Sequence, residues 1–126
     1  MRMQEIVSPD LAPAHGPYSQ GIRCGNLLFT SGSIPQKADG EYVYDVKEAT
    51  TLTLQNLLYV IEAAGGTKES IVRMDVVLTD LDDFDAFNEA YAAFFGEHRP
   101  VRMCYQAGKI FGDLPLEAEA VAYLEN

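Results

Sequence analysis

Residues 70–79 read S-I-V-R-M-D-V-V-L-T, a β-branched and apolar run that predicts a strand. Its flanks decide the fold. Upstream, Asp45 opens a helix, and Glu48 three residues on completes a capping-box pattern. Ala49, Leu52, Leu57, Val60, Ile61 and Ala64 then recur near helical spacing, and Gly65–Gly66 end the segment. Downstream, Asp80, Asp82, Asp83 and Asp85 lead into a second helix over about 83–95, striped by Phe84, Phe87, Tyr91, Phe94 and Phe95. Residues 101–110 and 116–124 predict two further strands. Near the start, Ile22–Arg23 and Leu27–Thr30 flank Gly25–Asn26, a hairpin signal with a primed turn. Pro9, Pro13 and Pro17 make residues 8–19 an ordered loop, and residues 35–42 are turn-rich. The order hairpin, helix, strand, helix, strand, strand predicts an α+β sandwich with two helices on one face of a mixed sheet.

Two helices cover only one sheet face. Yet Leu27-Leu28-Phe29, Val76-Val77-Leu78 and Val121-Ala122-Tyr123-Leu124 are apolar on both alternating faces. A second copy of the chain is the expected cover for the other face.

At 126 residues the expectation is one domain, spanning 1–126, with no repeat or linker. Nine Lys plus Arg against 19 Asp plus Glu give a net charge of −10. That argues against nucleic-acid binding, which needs a clustered cationic footprint, and against anionic membranes. A small anion stays possible, because one sheltered arginine can hold a carboxylate whatever the net charge. Cys24 and Cys104 stand 80 positions apart, which is neither a disulfide framework nor metal-ligand spacing. No run reaches 18 apolar residues, and M-R-M-Q-E-I-V-S-P-D has no apolar signal region, so a cytoplasmic protein is expected.

The run D-L-D-D-F-D imitates a calcium loop but lacks its glycine, and Tyr91 stands where the bidentate glutamate belongs; it reads as a helix N-terminus. His15 and His98 fall in loops with no partner at ligand spacing. P-loop, dinucleotide, nucleophile-elbow and H-E-x-x-H patterns do not occur. The C-terminal third is richer. Arg102 interrupts the apolar V-R-M-C-Y, and Cys104 shares its strand face. Glu117 and Glu119 share one face of L-E-A-E-A-V-A; a buried carboxylate there gains a raised pKa and acid/base potential. An Arg–Glu ion pair across adjacent strands is the plain alternative. Tyr18 lies on a proline-stiffened loop.

Together, G-P-Y-S-Q-G at 16–21, T-S-G-S-I-P at 30–35, E-A-A-G at 62–65, V-V-L-T-D-L-D-D-F at 76–84, F-N-E-A-Y-A-A-F-F at 87–95, P-V-R-M-C at 100–104 and L-E-A-E-A-V-A at 116–122 resemble the YjgF/Rid family, collinearly over nearly the whole chain. The resemblance implies a chorismate-mutase-like fold and a homotrimer with three sites between subunits. It implies a 2-iminobutanoate/2-iminopropanoate deaminase, hydrolysing imines and enamines such as 2-aminoacrylate to 2-keto acids and ammonia without metal or organic cofactor. By the same resemblance, Arg102 binds the substrate carboxylate and Glu117 activates water. Tyr18 walls the site from a neighbouring subunit, Cys104 offers backbone groups, Ser31 and Gly32 line the pocket, and Asn88 lies nearby.

Two departures stand out. The segment before the arginine strand, F-F-G-E-H-R-P-V-R, is shorter than usual and puts His98 and Arg99 near the mouth. Met103 replaces a small residue and should point away from the Arg102 face. Two other functions compete: a non-catalytic binder or sensor of 2-keto acids, and an endoribonuclease or translation inhibitor. The Tyr18/Arg102/Glu117 set favours the enzyme, because a carboxylate binder needs no acid/base group. The −10 charge disfavours RNA. It should also slow capture of anionic substrates, so added salt should not weaken turnover.

Overall fold

A computed structural model describes residues 3–125. Strands β1 (Met3–Ile6), β2 (Gly21–Cys24) and β3 (Leu27–Thr30) precede helix α1 (Val46–Ala63). Strand β4 (Ile71–Leu78), helix α2 (Phe84–Phe95), β5 (Val101–Gln106) and β6 (Leu116–Tyr123) follow. Among the described residues these strands form one mixed sheet in the order β1-β2-β3-β6-β4-β5. Only β4 and β5, joined across α2, run parallel.

The predicted local signals work as physics requires. Asp45 accepts a hydrogen bond from the Glu48 N–H at 3.1 Å, the half of the capping box that opens α1. At the other end Gly65 takes φ +91°, and Gly65 and Gly66 donate to the Glu62 and Ile61 carbonyls. That double closure stops the helix where a Cβ would be strained. The two-residue turn of the β2–β3 hairpin has Gly25 at φ +60°. The acidic run makes a 3-10 turn, Leu81–Asp83, with the Asp80 carboxylate accepting from the Asp82 N–H.

Both helices lie on the same sheet face. Leu54, Leu57 and Ile61 of α1 and Phe87, Tyr91 and Phe95 of α2 pack against Met74, Val76 and Leu78. Ala118, Ala120 and Ala122 on β6 complete the layer, their small side chains letting α1 approach. The opposite face is open. Leu27, Phe29, Met103, Tyr105 and Tyr123 stand on it, 40–54% exposed. The apolar alternation read in the sequence therefore describes two different surfaces: a filled core and an uncovered plane. No described helix is long and apolar enough to cross a membrane.

Several boundaries differ from expectation. Strand β1 was not foreseen; four residues with two charged or polar members give little alternation to read, and pairing with β2 makes the strand. The strand expected over 101–110 stops at Gln106, because the sheet partner β4 ends at Leu78. Residues beyond it turn, with a 3-10 segment at Phe111–Asp113. The other elements shift by one or two residues at their ends.

One irregularity shapes the site. Strand β3 pairs with β6 through Phe29–Val121, and pairing resumes at Ser33–Ala118 with one residue more on the β3 side. The buried Thr30 hydroxyl bridges the gap, accepting from the Ala120 N–H at 2.9 Å and donating to the Ala120 carbonyl at 3.4 Å. Ser31 and Gly32 are thereby pushed out of the ladder. Thr30→Val keeps the shape but orphans a buried N–H. It should cost about 1–3 kcal/mol in denaturant unfolding.

Candidate active site

Glu117 emerges beside that bulge. It faces away from the helices, because its neighbours Leu116 and Ala118 face them. Gly32 lies directly against its carboxylate, and a Cβ built there would collide with Glu117 Oε2. The loop is held on several sides. Ser31 Oγ donates to the Ser19 carbonyl at 2.6 Å and Ser33 Oγ to the Thr53 carbonyl at 2.9 Å. The Asn56 amide, buried on α1, donates to the Ile34 and Gln36 carbonyls. Around Glu117 opens a cleft of about 410 Å³ walled by Tyr18, Ser31, Gly32 and Ile34, with His15 and Phe111 at its rim. The Tyr18 hydroxyl accepts from the His15 N–H at 3.2 Å. The rings of His15 and Phe111 are 4.6 Å apart.

Burial pushes the Glu117 carboxyl up from the ordinary carboxylate range, and the charge of Glu119 pushes the same way. The folded chain therefore holds this proton more tightly than the unfolded chain. The resulting stabilisation is complete below the unfolded pKa and is lost as pH rises through the folded one. Replacing the carboxylate by Glu117→Gln should therefore raise stability at neutral pH. The gain should vanish towards about pH 4. Urea unfolding at the two pH values measures it.

Arg102 lies elsewhere. It is on the edge strand β5, opposite Met74, and so on the helix side of the sheet. Its guanidinium sits 4.8 Å from the Tyr91 ring centroid and donates to Asn88 Oδ1 at 2.8 Å. Asn88, Tyr91, Ala92, Arg99, Pro100 and Arg102 line a second cavity, about 310 Å³. Cys104, half-buried on the same face, has its thiol pushed up by burial, with Arg102 opposing. Met103 points to the open face, as alternation predicts.

The expected residues therefore form two groups. Tyr18, Ser31, Gly32 and Glu117 share one cleft; Asn88, Arg102 and Cys104 share one corner of α2 and β5. Strand β4 separates β5 from β6, and Arg102 and Glu117 leave the sheet on opposite faces. The Arg–Glu pair across adjacent strands does not form in one chain. The charge that acts on Glu117 within the chain is that of Glu119. Sequence reasoning missed His15 and Phe111 as cleft residues. His15 directly precedes the G-P-Y motif, which is a usable signal. Phe111 belongs to the 3-10 segment that follows β5, which ends at Gln106, and no local pattern marks it.

The sequence model of the family described as Endoribonuclease L-PSP matches residues 9–124. The chain belongs to this family. Its members here include a RutC family protein of Pyrococcus horikoshii, 40% identical over 98% of this chain and all of its own length. Another is the 2-iminobutanoate/2-iminopropanoate deaminase of Escherichia coli, 38% identical over 95% of this chain and 98% of the relative. Among solved L-PSP structures, Escherichia coli TdcF with bound serine superposes with a TM-score of 0.93 at 39% identity, covering 97% of this chain and 99% of that one. The two helices on a mixed six-stranded sheet are thus the family's fold.

Proposed function

We propose that this L-PSP family chain hydrolyses small 2-imino acids and their enamine tautomers to 2-keto acids and ammonia, in clefts completed between copies of a homotrimer. The observation that supports this best is the division of the candidate residues. A desolvated base and its cleft lie on one sheet face and an anion-binding corner on the other, and neither group is a complete site alone. The open apolar face offers the surface that assembly would bury. A monomer mass in light scattering at micromolar concentration would overturn the assembly.

In the joined cleft, Arg102 of one copy fixes the substrate carboxylate with its two-pronged donor. Glu117 of the next copy holds a water about 3 Å from the imine carbon. As the water oxygen bonds to that carbon, Glu117 accepts its proton and the imine nitrogen takes up another. The protonated Glu117 then passes its proton to nitrogen, the C–N bond breaks and ammonia leaves, and the carbonyl closes as the former water oxygen releases its remaining proton to solvent, replacing the solvent proton that the imine nitrogen took up. Imine plus water gives keto acid plus ammonia, with no net change in protons. The raised Glu117 pKa places the acid limb of activity above the ordinary value of about 4.3, and a neighbouring Arg102 would draw it partly back.

A coupled assay with a threonine or serine dehydratase tests this. The protein should accelerate keto-acid release, and Arg102→Ala should abolish the effect. A second reading, binding without turnover, is favoured by the serine held in the TdcF structure. Arg102-dependent keto-acid binding with no acceleration would establish it instead.

A further inference from the structure

Nine cations serve 19 acids in this chain. Lys37, Lys47, Arg73 and Lys109 each pair with a carboxylate, at Glu41, Glu89, Asp75 and Asp113. Among the described residues, Arg99 and Arg102 have no carboxylate partner, and both line the same 310 Å³ cavity. The α2 acid nearest in sequence to Asn88, Glu89, is occupied by Lys47 at 3.0 Å. Two unneutralised guanidiniums beside one cavity in so acidic a protein need an explanation.

The two charges act at one place. The Tyr91 phenol, buried and with no hydrogen-bond partner, is pushed up to about 12 by burial, and Arg102 and then Arg99 pull it down. Their roles differ. Arg102 rests on aromatic faces and holds Asn88. Arg99 is tethered at the end of α2, donating to the Gly96 and His98 carbonyls, and Pro100 restricts its backbone. It is exposed at the cavity's rim, with donors to spare for a ligand.

We propose that Arg99 is a specificity residue and that the site prefers a substrate bearing a second carboxylate, a dicarboxylic 2-imino acid. This rests on the reading that Arg102 receives the α-carboxylate; Arg99 receives the distal one. The chain's −10 field repels a dianion more than a monoanion, so such a preference can arise only locally.

Calorimetric titration of the assembled protein with 2-oxoglutarate and 2-oxopentanoate tests it. The two five-carbon keto acids differ by the distal carboxylate. The wild type should bind 2-oxoglutarate about tenfold more tightly at low salt, the scale of one added charge-assisted contact. Arg99→Gln should bring the ratio towards one, Arg99→Lys should restore part of it, and Arg102→Gln should weaken both ligands. A ratio near one in the wild type, with Arg102-dependent binding of both acids, overturns this inference and leaves the keto-acid site standing. A preference that survives Arg99→Gln overturns the role of Arg99. If neither acid binds and the dehydratase-coupled assay shows no acceleration, the functional reading falls and the inference with it.

Discussion

Co-assembly of two inactive variants, Arg102→Ala and Glu117→Gln, is expected to restore activity. Each change alone should lower the rate by about 10²–10⁴-fold, one by removing the carboxylate anchor and the other the acid/base group. Their positions make the mixture informative. Arg102 leaves the helix side of β5 and Glu117 the open side of β6, with β4 between them. If a site takes Arg102 from one copy and Glu117 from the next, random mixing leaves about a quarter of the sites with both residues intact. Co-expression with two affinity tags isolates the mixed assemblies. In those isolated mixed trimers one site of the three keeps both residues, so activity of about a third of wild type supports the inter-copy cleft. Activity no higher than either variant alone means that each chain supplies both residues or that the pairing is wrong.

Gly32→Ala is expected to remove most of the activity while leaving the fold nearly untouched. Gly32 has an ordinary backbone conformation, so alanine adds no φ strain. The added methyl would instead occupy the space of the Glu117 carboxylate. Gly32 cannot retreat easily, because its neighbours are held: Ser31 by Ser19, and Ser33 by Thr53 and Ala118. The carboxylate must move, and a displacement on the scale of 1 Å costs about 10²-fold in rate. Gly108→Ala, with open space around its Cβ position, is the control. The loss should also fail to add to that of Glu117→Gln, since a glutamine variant has no base left to misplace. Full activity in Gly32→Ala would remove Glu117 from the chemistry.

Much of this molecule is legible before folding. Asp45 and Gly65 bracket α1 because an N-cap acceptor and a left-handed glycine act on neighbouring backbone groups. Strict alternation made Ala118, Ala120 and Ala122 one face of β6 and Glu117 and Glu119 the other. Strand β1 and the end of β5 were illegible for a complementary reason: both depend on which strand lies alongside, not on their own residues. The candidate site divides the same way. Arg102 and Glu117 stand out as charges in apolar strands. His15 and Phe111 do not, since a loop residue reveals its role only when another loop meets it.

The sequence by itself determined the two helices, the hairpin and the two-faced apolar strands, products of local sterics and periodicity, and it carries the motifs that resemble the family's. It also determined the −10 charge and the few cations available for an anion. Tertiary structure alone decided the strand order, and with it the separation of Arg102 from Glu117. Placing β4 between β5 and β6 turns what looked like a possible ion pair on adjacent strands into two separate groups of candidate residues on opposite faces. The same packing decided that Glu117 is pushed up, because its surroundings are a displaced glycine loop and a second carboxylate. Desolvation is a property of neighbours in space, and no reading along the chain can supply it.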